Sequence, residues 1–239
     1  MSGALCVFVK IMRALFGWSL PQDCFVCGRV AGFQPVCQAC RASLPRLHVQ
    51  RCSVCALPVR GDGGCGRCLK AKPAFDATFV AFDYAFPVDA LLQAFKYQHQ
   101  LGLAAFFAEN LAAQNLPGDI DGIVPVPLHP RRLQARGFNQ TLEIARPFSR
   151  LTGCRLVYDR VRRVRDTPAQ AGLTRKARAR NLKGAFAYEG CLKGARILIV
   201  DDVMTTGATL NALAGELKRQ GAVWVGNAVV ARTPFSGKT

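Results

Sequence analysis

The stretch Arg196-Ile197-Leu198-Ile199-Val200-Asp201-Asp202-Val203-Met204-Thr205-Thr206-Gly207-Ala208-Thr209-Leu210 decides the fold. A branched apolar run, Ile197 to Val200, follows a charged residue and precedes two carboxylates. That is the pattern of a buried parallel strand whose C-terminal end delivers Asp201 and Asp202 to a surface crevice. Beyond the loop, apolar residues at 210, 213, 214 and 217 recur at helical spacing as far as Arg219. The order is strand, short loop, helix.

Such a turn has a chemical use. Backbone N–H groups of the loop and first helical turn, Thr205 to Thr209, carry the positive end of the helix dipole, and three threonine hydroxyls add donors. This is a cradle for phosphate, and Gly207 lets the backbone approach it closely. Two carboxylates directly before the cradle would repel a phosphate, so their partner is the hydroxyl-bearing part of the same ligand, a ribose with its 5'-phosphate. The residues resemble the signature of type I phosphoribosyltransferases, which bind 5-phosphoribosyl-1-pyrophosphate (PRPP). That resemblance implies that Asp201 and Asp202 hold the ribose 2'- and 3'-hydroxyls. It also implies that Thr205, Thr206, Gly207, Ala208 and Thr209, entered through Val203 and Met204, hold the 5'-phosphate.

Composition is compatible with this reading. The chain has 239 residues, half of them apolar, enough for one domain of moderate size and a small appendage. Its net charge of +17 calls for an anionic partner: phosphates, nucleic acid or an anionic membrane surface. The excess is concentrated, because Arg131 to Lys183 holds fifteen Lys/Arg against Glu143, Asp159 and Asp166, a net +12. Residues 1–20 read as an amphipathic helix, apolar from Ala4 to Trp18 but broken by Lys10 and Arg13. It has the character of neither a secretion signal nor a span; it packs on the body or makes peripheral membrane contact. No transmembrane segment and a cytoplasmic location are expected.

Eight of the eleven cysteines repeat: Cys24-x2-Cys27, nine residues, Cys37-x2-Cys40, then Cys52-x2-Cys55, nine residues, Cys65-x2-Cys68, displaced by 28 positions. Two Cys-x2-Cys pairs complete the tetrahedral thiolate shell that zinc prefers, so eight ligands imply two structural zinc ions. Sequential closure is expected, since each 17-residue unit is then self-sufficient, although spacing alone also permits interleaving. Four disulfides are the rival reading in an oxidising setting. Cys6, Cys154 and Cys191 lack partners at ligand spacing and are expected as buried thiols. Residues 21–70 thus read as a double zinc ribbon and 74–239 as the phosphoribosyltransferase-like domain.

In the body, Phe75 to Tyr84 reads as a strand, and Pro87 opens a helix over 88–97 with Leu91, Leu92, Phe95 and Tyr97 facing inward. Lys96, near its end, reads as compensating the helix dipole in preference to contacting a ligand. A second helix covers 102–115. Asp121 to His129 forms a short buried strand and a Pro-punctuated turn, followed by Arg131, Arg132 and Arg136. Asn139 or Thr141 caps a helix through about Leu151, with Pro147 as a kink or early stop. Leu156 to Arg165 is extended and arginine-laden, 166–181 is a lid-like polar segment, and Ala222 to Ala231 is the last strand.

In order, the double Cys-x2-Cys ribbons, Val-Pro-Val-Pro-Leu with Arg-Gly-Phe-Asn-Gln, the Gln/Leu/Arg/Asn segment ending in Ala-Phe, and Val-Asp-Asp-Val-Met-Thr-Thr-Gly resemble the ComF family of competence-associated proteins, ComFC-like and GntX-like members included. The resemblance implies an α/β fold, a type I phosphoribosyltransferase-like parallel sheet flanked by helices, behind the zinc-ribbon module. It implies PRPP with Mg2+, single-stranded DNA and the DNA-uptake machinery of natural transformation as partners. It places pyrophosphate at the loop of Leu128, Arg131, Arg132 and Arg136, whose guanidinium forks suit phosphate oxygens. Asp201, Asp202, Arg178 and Arg180 are then the expected catalytic set, with the arginines stabilising departing pyrophosphate. Arg162, Arg163, Arg165, Arg175 and Lys176 are the expected nucleic-acid contacts. Two functions stay open: glycosyl transfer from PRPP to an unnamed acceptor, or non-catalytic, PRPP-regulated binding of single-stranded DNA.

Overall fold

The computed structural model describes residues 22–46, 49–59, 64–165 and 184–234. The chain divides into two compact units, one ending at Leu44 and the other beginning at Pro45. The amphipathic helix and the polar segment of 166–181, with Arg175, Lys176, Arg178 and Arg180, lie outside the described residues.

The 28-residue repeat in the cysteines is a repeat of structure. In the first unit Asp23 bridges Val30, Gly28 N–H donates to the Cys24 carbonyl, and helix α1 spans Gln38–Ala42. In the second unit Arg51 bridges Pro58, Ala56 N–H donates to the Cys52 carbonyl, and α2 spans Gly66–Lys70. Gly28 and its counterpart Ala56 both have left-handed backbone, with φ of 70° and 56°.

The second unit is built on a four-stranded parallel sheet. Its strands are β1 (Ala77–Asp83), β2 (Gly122–Pro125), β5 (Arg196–Met204) and β6 (Trp224–Arg232), in the order β1-β6-β5-β2. A separate antiparallel pair is formed by β3 (Val161–Arg163) and β4 (Phe186–Tyr188). Between strands run α3 (Val88–Tyr97), α4 (Leu103–Ala112), α5 (Pro130–Arg136), α6 (Gln140–Thr152) and α7 (Ala208–Arg219). Helices α4 and α6 pack together against the sheet, and α7 packs on β4, β5 and β6. The apolar stripe foreseen for α7 is in place, since Leu210, Leu213, Ala214 and Leu217 are all buried. They share one core with Ile197, Ile199, Phe75 and, from the second ribbon, Cys52, Cys55, Ala56 and Leu57.

Four local expectations need correction. Strand β5 does not end at Val200: β6 extends equally far, and the ladder continues through Asp201 opposite Val229 and Met204 opposite Arg232. Helix α6 reaches Thr152, in keeping with the end expected near Leu151, but Pro147 does not stop it early, because loss of one N–H is tolerated on a helix that Asn139 caps and whose Ile144, Ala145 and Phe148 are buried. Tyr97 is exposed at the end of α3, under the Arg136 guanidinium at 5.3 Å from its ring centroid. Cys191 is exposed and Cys154 only half-buried.

Candidate functional site

The parallel strands bring their C-terminal ends together, and a ligand crevice of such a sheet lies outside those ends. There β2 and β5 are neighbours: Pro125 pairs with Val200, and Val126 N–H donates to the Val200 carbonyl at 3.0 Å. The loop that leaves β2 therefore starts beside the two acids. Asn139 Nδ2 and Thr141 Oγ1 both donate to the Val126 carbonyl, tying the far end of that loop back to the strand. Within the loop Leu128 and Arg132 are half-buried and Arg131 is exposed. Arg136 donates to Gln140 Oε1 at 2.7 Å besides stacking on Tyr97.

The acids, alike in sequence, differ in place. Neighbouring strand residues project to opposite faces. Asp202 is buried and its Oδ2 meets the Lys96 ammonium of α3 at 2.9 Å. Burial alone would lower the Lys96 pKa, but the Asp202 charge outweighs it and the pKa is raised. Asp201 is half-buried, lines the crevice with Val203 and residues 204–210, and accepts from the Asp202 N–H. Burial of its carboxyl, reinforced by the Asp202 charge, pushes its pKa up to about 8.

The loop Met204 to Gly207 is held from behind. Arg232, ending β6 and 1% exposed, donates through Nη1 to the carbonyls of Met204, Thr205 and Thr233. Arg67 Nη2, from α2 of the second ribbon, donates to the Thr206 carbonyl at 3.0 Å. In a trans peptide the following N–H points opposite to its C=O. Carbonyls 204, 205 and 206 drawn back onto arginines thus turn the amides of Thr205, Thr206 and Gly207 the other way. Thr206 Oγ1 accepts from Ala208 N–H, and Gly207 opens α7 with φ +79°. A Cβ at Gly207 would stand 2.7 Å from Met204 Cε. A turn of this kind can receive an anion on its amide side.

The cysteines gather as two sets of four, Cys24, Cys27, Cys37, Cys40 and Cys52, Cys55, Cys65, Cys68, all sulfurs of a set within 4.8 Å of one another. Closure is sequential, and none of the described cysteines is in a disulfide. Val26 and Cys37 N–H groups point at Cys24 Sγ at 3.4 and 3.3 Å, as donors to a thiolate do. Both sets fit structural zinc, with all four positions filled by sulfur.

Among the expected nucleic-acid residues, Arg162 and Arg165 are exposed, but Arg163 is buried with its guanidinium 5.7 Å from the Phe186 ring centroid. Strand alternation turns it inward, which removes it from a nucleic-acid surface; its charge instead bears on Asp201. Of the aromatics near the basic window, Phe148 is core, Phe138 packs on Phe95 and His99, and Tyr158 is half-exposed. Sequence reasoning missed Lys96, Arg67 and Arg232 as parts of the site. For Lys96 a signal existed: with Val88 and Leu92 it completes an i, i+4, i+8 stripe on the inward face of α3.

A parallel sheet with this strand, loop and helix, joined to a second ribbon, defines a phosphoribosyltransferase-type protein with a double zinc ribbon. Residues 15–69 match the family model described as a double zinc ribbon domain, and residues 136–238 the phosphoribosyl transferase domain. Over 232 residues the chain is 34% identical to DNA utilization protein YhgH of Escherichia coli O6:H1, covering 92% of this chain and 93% of that one. It is 33% identical to Competence protein F of Haemophilus influenzae over 212 residues, 77% of this chain and 91% of that one. The chain belongs to the ComF family, with these proteins among its relatives. A purine phosphoribosyltransferase from Pyrococcus horikoshii aligns over 59% of this chain and 79% of its own, at 24% identity and a TM-score of 0.35. Among the described residues no helix is long and apolar enough to cross a membrane.

Proposed function

We propose that the chain binds PRPP at the crevice between the β5–α7 turn and the loop after β2, and that this binding serves DNA uptake or use in the cytoplasm. One observation carries the reading: the peptide groups of 204–207 are oriented with carbonyls on Arg232 and Arg67, leaving their amides for a phosphate beside Asp201. The amides of 205–207 and the threonine hydroxyls hold the 5'-phosphate. Asp201 accepts from the ribose hydroxyls, and Asp202 does so while sharing its carboxylate with Lys96. Arg131, Arg132 and Arg136 are the cations for pyrophosphate. The two carboxylates are hard oxygen donors suited to Mg2+, which when bound neutralises pyrophosphate charge. In glycosyl transfer the anomeric carbon loses pyrophosphate and gains an acceptor, with Arg178 and Arg180 supplying positive charge to the leaving group. The cavity of about 650 Å3 lined by Leu128, His129, Phe138, Tyr158 and Arg162 is the room available to an acceptor.

The names of the relatives, DNA utilization protein and Competence protein, support the DNA role. A second reading, PRPP-regulated binding of single-stranded DNA without turnover, is favoured by exposed Arg162 and Arg165 within the basic window. One experiment tests the site and divides the readings. Calorimetry with Mg2+ and PRPP should give an affinity that Asp201→Asn with Asp202→Asn lowers about tenfold or more, some 1.4 kcal/mol. Unchanged binding refutes the site. Pyrophosphate release across nucleobases and amines marks an enzyme; none, with salt-dependent binding of single strands, marks the binder.

A further inference from the structure

The second ribbon touches the anion-binding turn through two side chains that sequence reading assigned to neither. Arg67 lies between ligands Cys65 and Cys68, and its Nη2 donates to the Thr206 carbonyl at 3.0 Å. Arg232 is buried between the two features: Nε donates to the carbonyl of ligand Cys55 at 3.1 Å, and Nη1 to those of Met204 and Thr205. The ribbon's cysteines pack in the same core as Met204, Leu210 and Phe75. Electrostatics run the same way. A zinc ion with four thiolates carries a net charge of about −2, and burying a guanidinium is costly unless its charge is compensated. The tetrathiolate puts negative charge beside the buried Arg232, whose Nη1, like Arg67 Nη2, reaches the carbonyls of the turn.

We infer that zinc in the second ribbon sets the conformation of the turn, with Arg67 and Arg232 as positioning residues that hold the carbonyls of 204–206 and so aim the amides of 205–207. The first ribbon, in the other compact unit, is the built-in control. The ligand side of this inference rests on the PRPP reading; the conformational side does not.

The experiment uses the full zinc-loaded chain and three readouts: zinc content, hydrogen exchange of the amides of Ala208, Asn211 and Thr233, which donate to Thr206 Oγ1 and to the carbonyls of Gly207 and Met204, and calorimetric affinity for Mg2+ and PRPP. Cys68→Ser should lose one zinc per chain, speed exchange of those three amides at least tenfold and weaken PRPP binding at least tenfold. Cys40→Ser should lose one zinc and leave exchange and affinity within twofold. Arg67→Met should keep both zinc ions yet speed exchange and weaken binding several-fold, with Arg67→Lys recovering part of each. That outcome separates positioning from loss of the ribbon. Equal effects of Cys68→Ser and Cys40→Ser, or unaltered exchange in Cys68→Ser and Arg67→Met, would overturn the inference. If the parent chain binds no PRPP, the PRPP reading falls while the exchange comparison still decides the coupling.

Discussion

Replacing Lys96 by methionine tests whether the buried ion pair organises the crevice. The side chains are of similar length, so the change removes charge more than volume. In the parent the ammonium sits 2.9 Å from Asp202 Oδ2, with side-chain exposures of 18% and 8%, and that oxygen has no hydrogen-bond partner besides. Breaking a buried pair from one side costs about 3–5 kcal/mol, because a desolvated charge is left behind. The partial exposure of Lys96 reduces this to roughly 2–3 kcal/mol, and at about 2–4 °C per kcal/mol for a domain of this size the melting temperature should fall by roughly 5–10 °C at pH 8.

The Lys96 pKa is raised in the folded chain, so the pair stabilises fully below the ordinary lysine pKa and that contribution is lost as pH rises through the raised value. The variant lacks this alkaline decline. Adding Asp202→Leu to Lys96→Met should restore most of the lost stability, since an apolar pair of similar volume replaces a buried ion pair at little cost. Thermal unfolding of the zinc-loaded protein, followed by circular dichroism across pH, reads all of this. A single variant melting within about 1 °C of the parent at pH 8, or a double variant no better than the single, would refute the reasoning.

Asp201 titrates near 8, so affinity for Mg2+ and PRPP should rise with pH up to about 8 and level off beyond it, as the carboxyl loses the proton that blocks it as acceptor. Asp201→Asn should flatten that profile; an unchanged profile would count against the assignment. Because its folded pKa is raised, the same group contributes stability that is present below the unfolded value, about 3.9, and is lost as pH climbs through about 8. Gly207→Ala places a Cβ 2.7 Å from Met204 Cε at φ +79°. It should destabilise by about 1–2 kcal/mol and weaken PRPP binding about tenfold, some 1.4 kcal/mol. Parent-like denaturation and calorimetry would show that the left-handed turn is not required.

The local features of the crevice were legible because they are written in short range. Helix α7 begins and ends where its apolar spacing and Gly207 say it must. The 28-residue offset that relates the cysteines also relates the two bridges and the two short helices, since each ribbon folds around its own ligands. What failed was local inference carried past its warrant. A carboxylate pair looks like the end of a strand, yet Asp201 and Asp202 stay in the ladder because β6 is long enough to pair with them. Pro147 looks like a stop, yet the cap at Asn139 and the buried face of α6 hold the helix through it. Arg163 looks like one more surface cation, yet the pleat turns it inward.

The amino-acid order by itself determined the parallel strand, the glycine turn into α7 and the tetrathiolate ribbons, because periodicity, a glycine at a left-handed position and ligand spacing act over a few residues. Only the tertiary structure decided which acid pairs with Lys96, which arginines grip the turn, and that the second ribbon packs with the sheet. Arg67 and Thr206 are 139 residues apart in the chain, Cys55 and Arg232 are 177 apart, and no local pattern encodes such pairings. They arise when packing removes water from charges and carbonyls and leaves them only one another to bond.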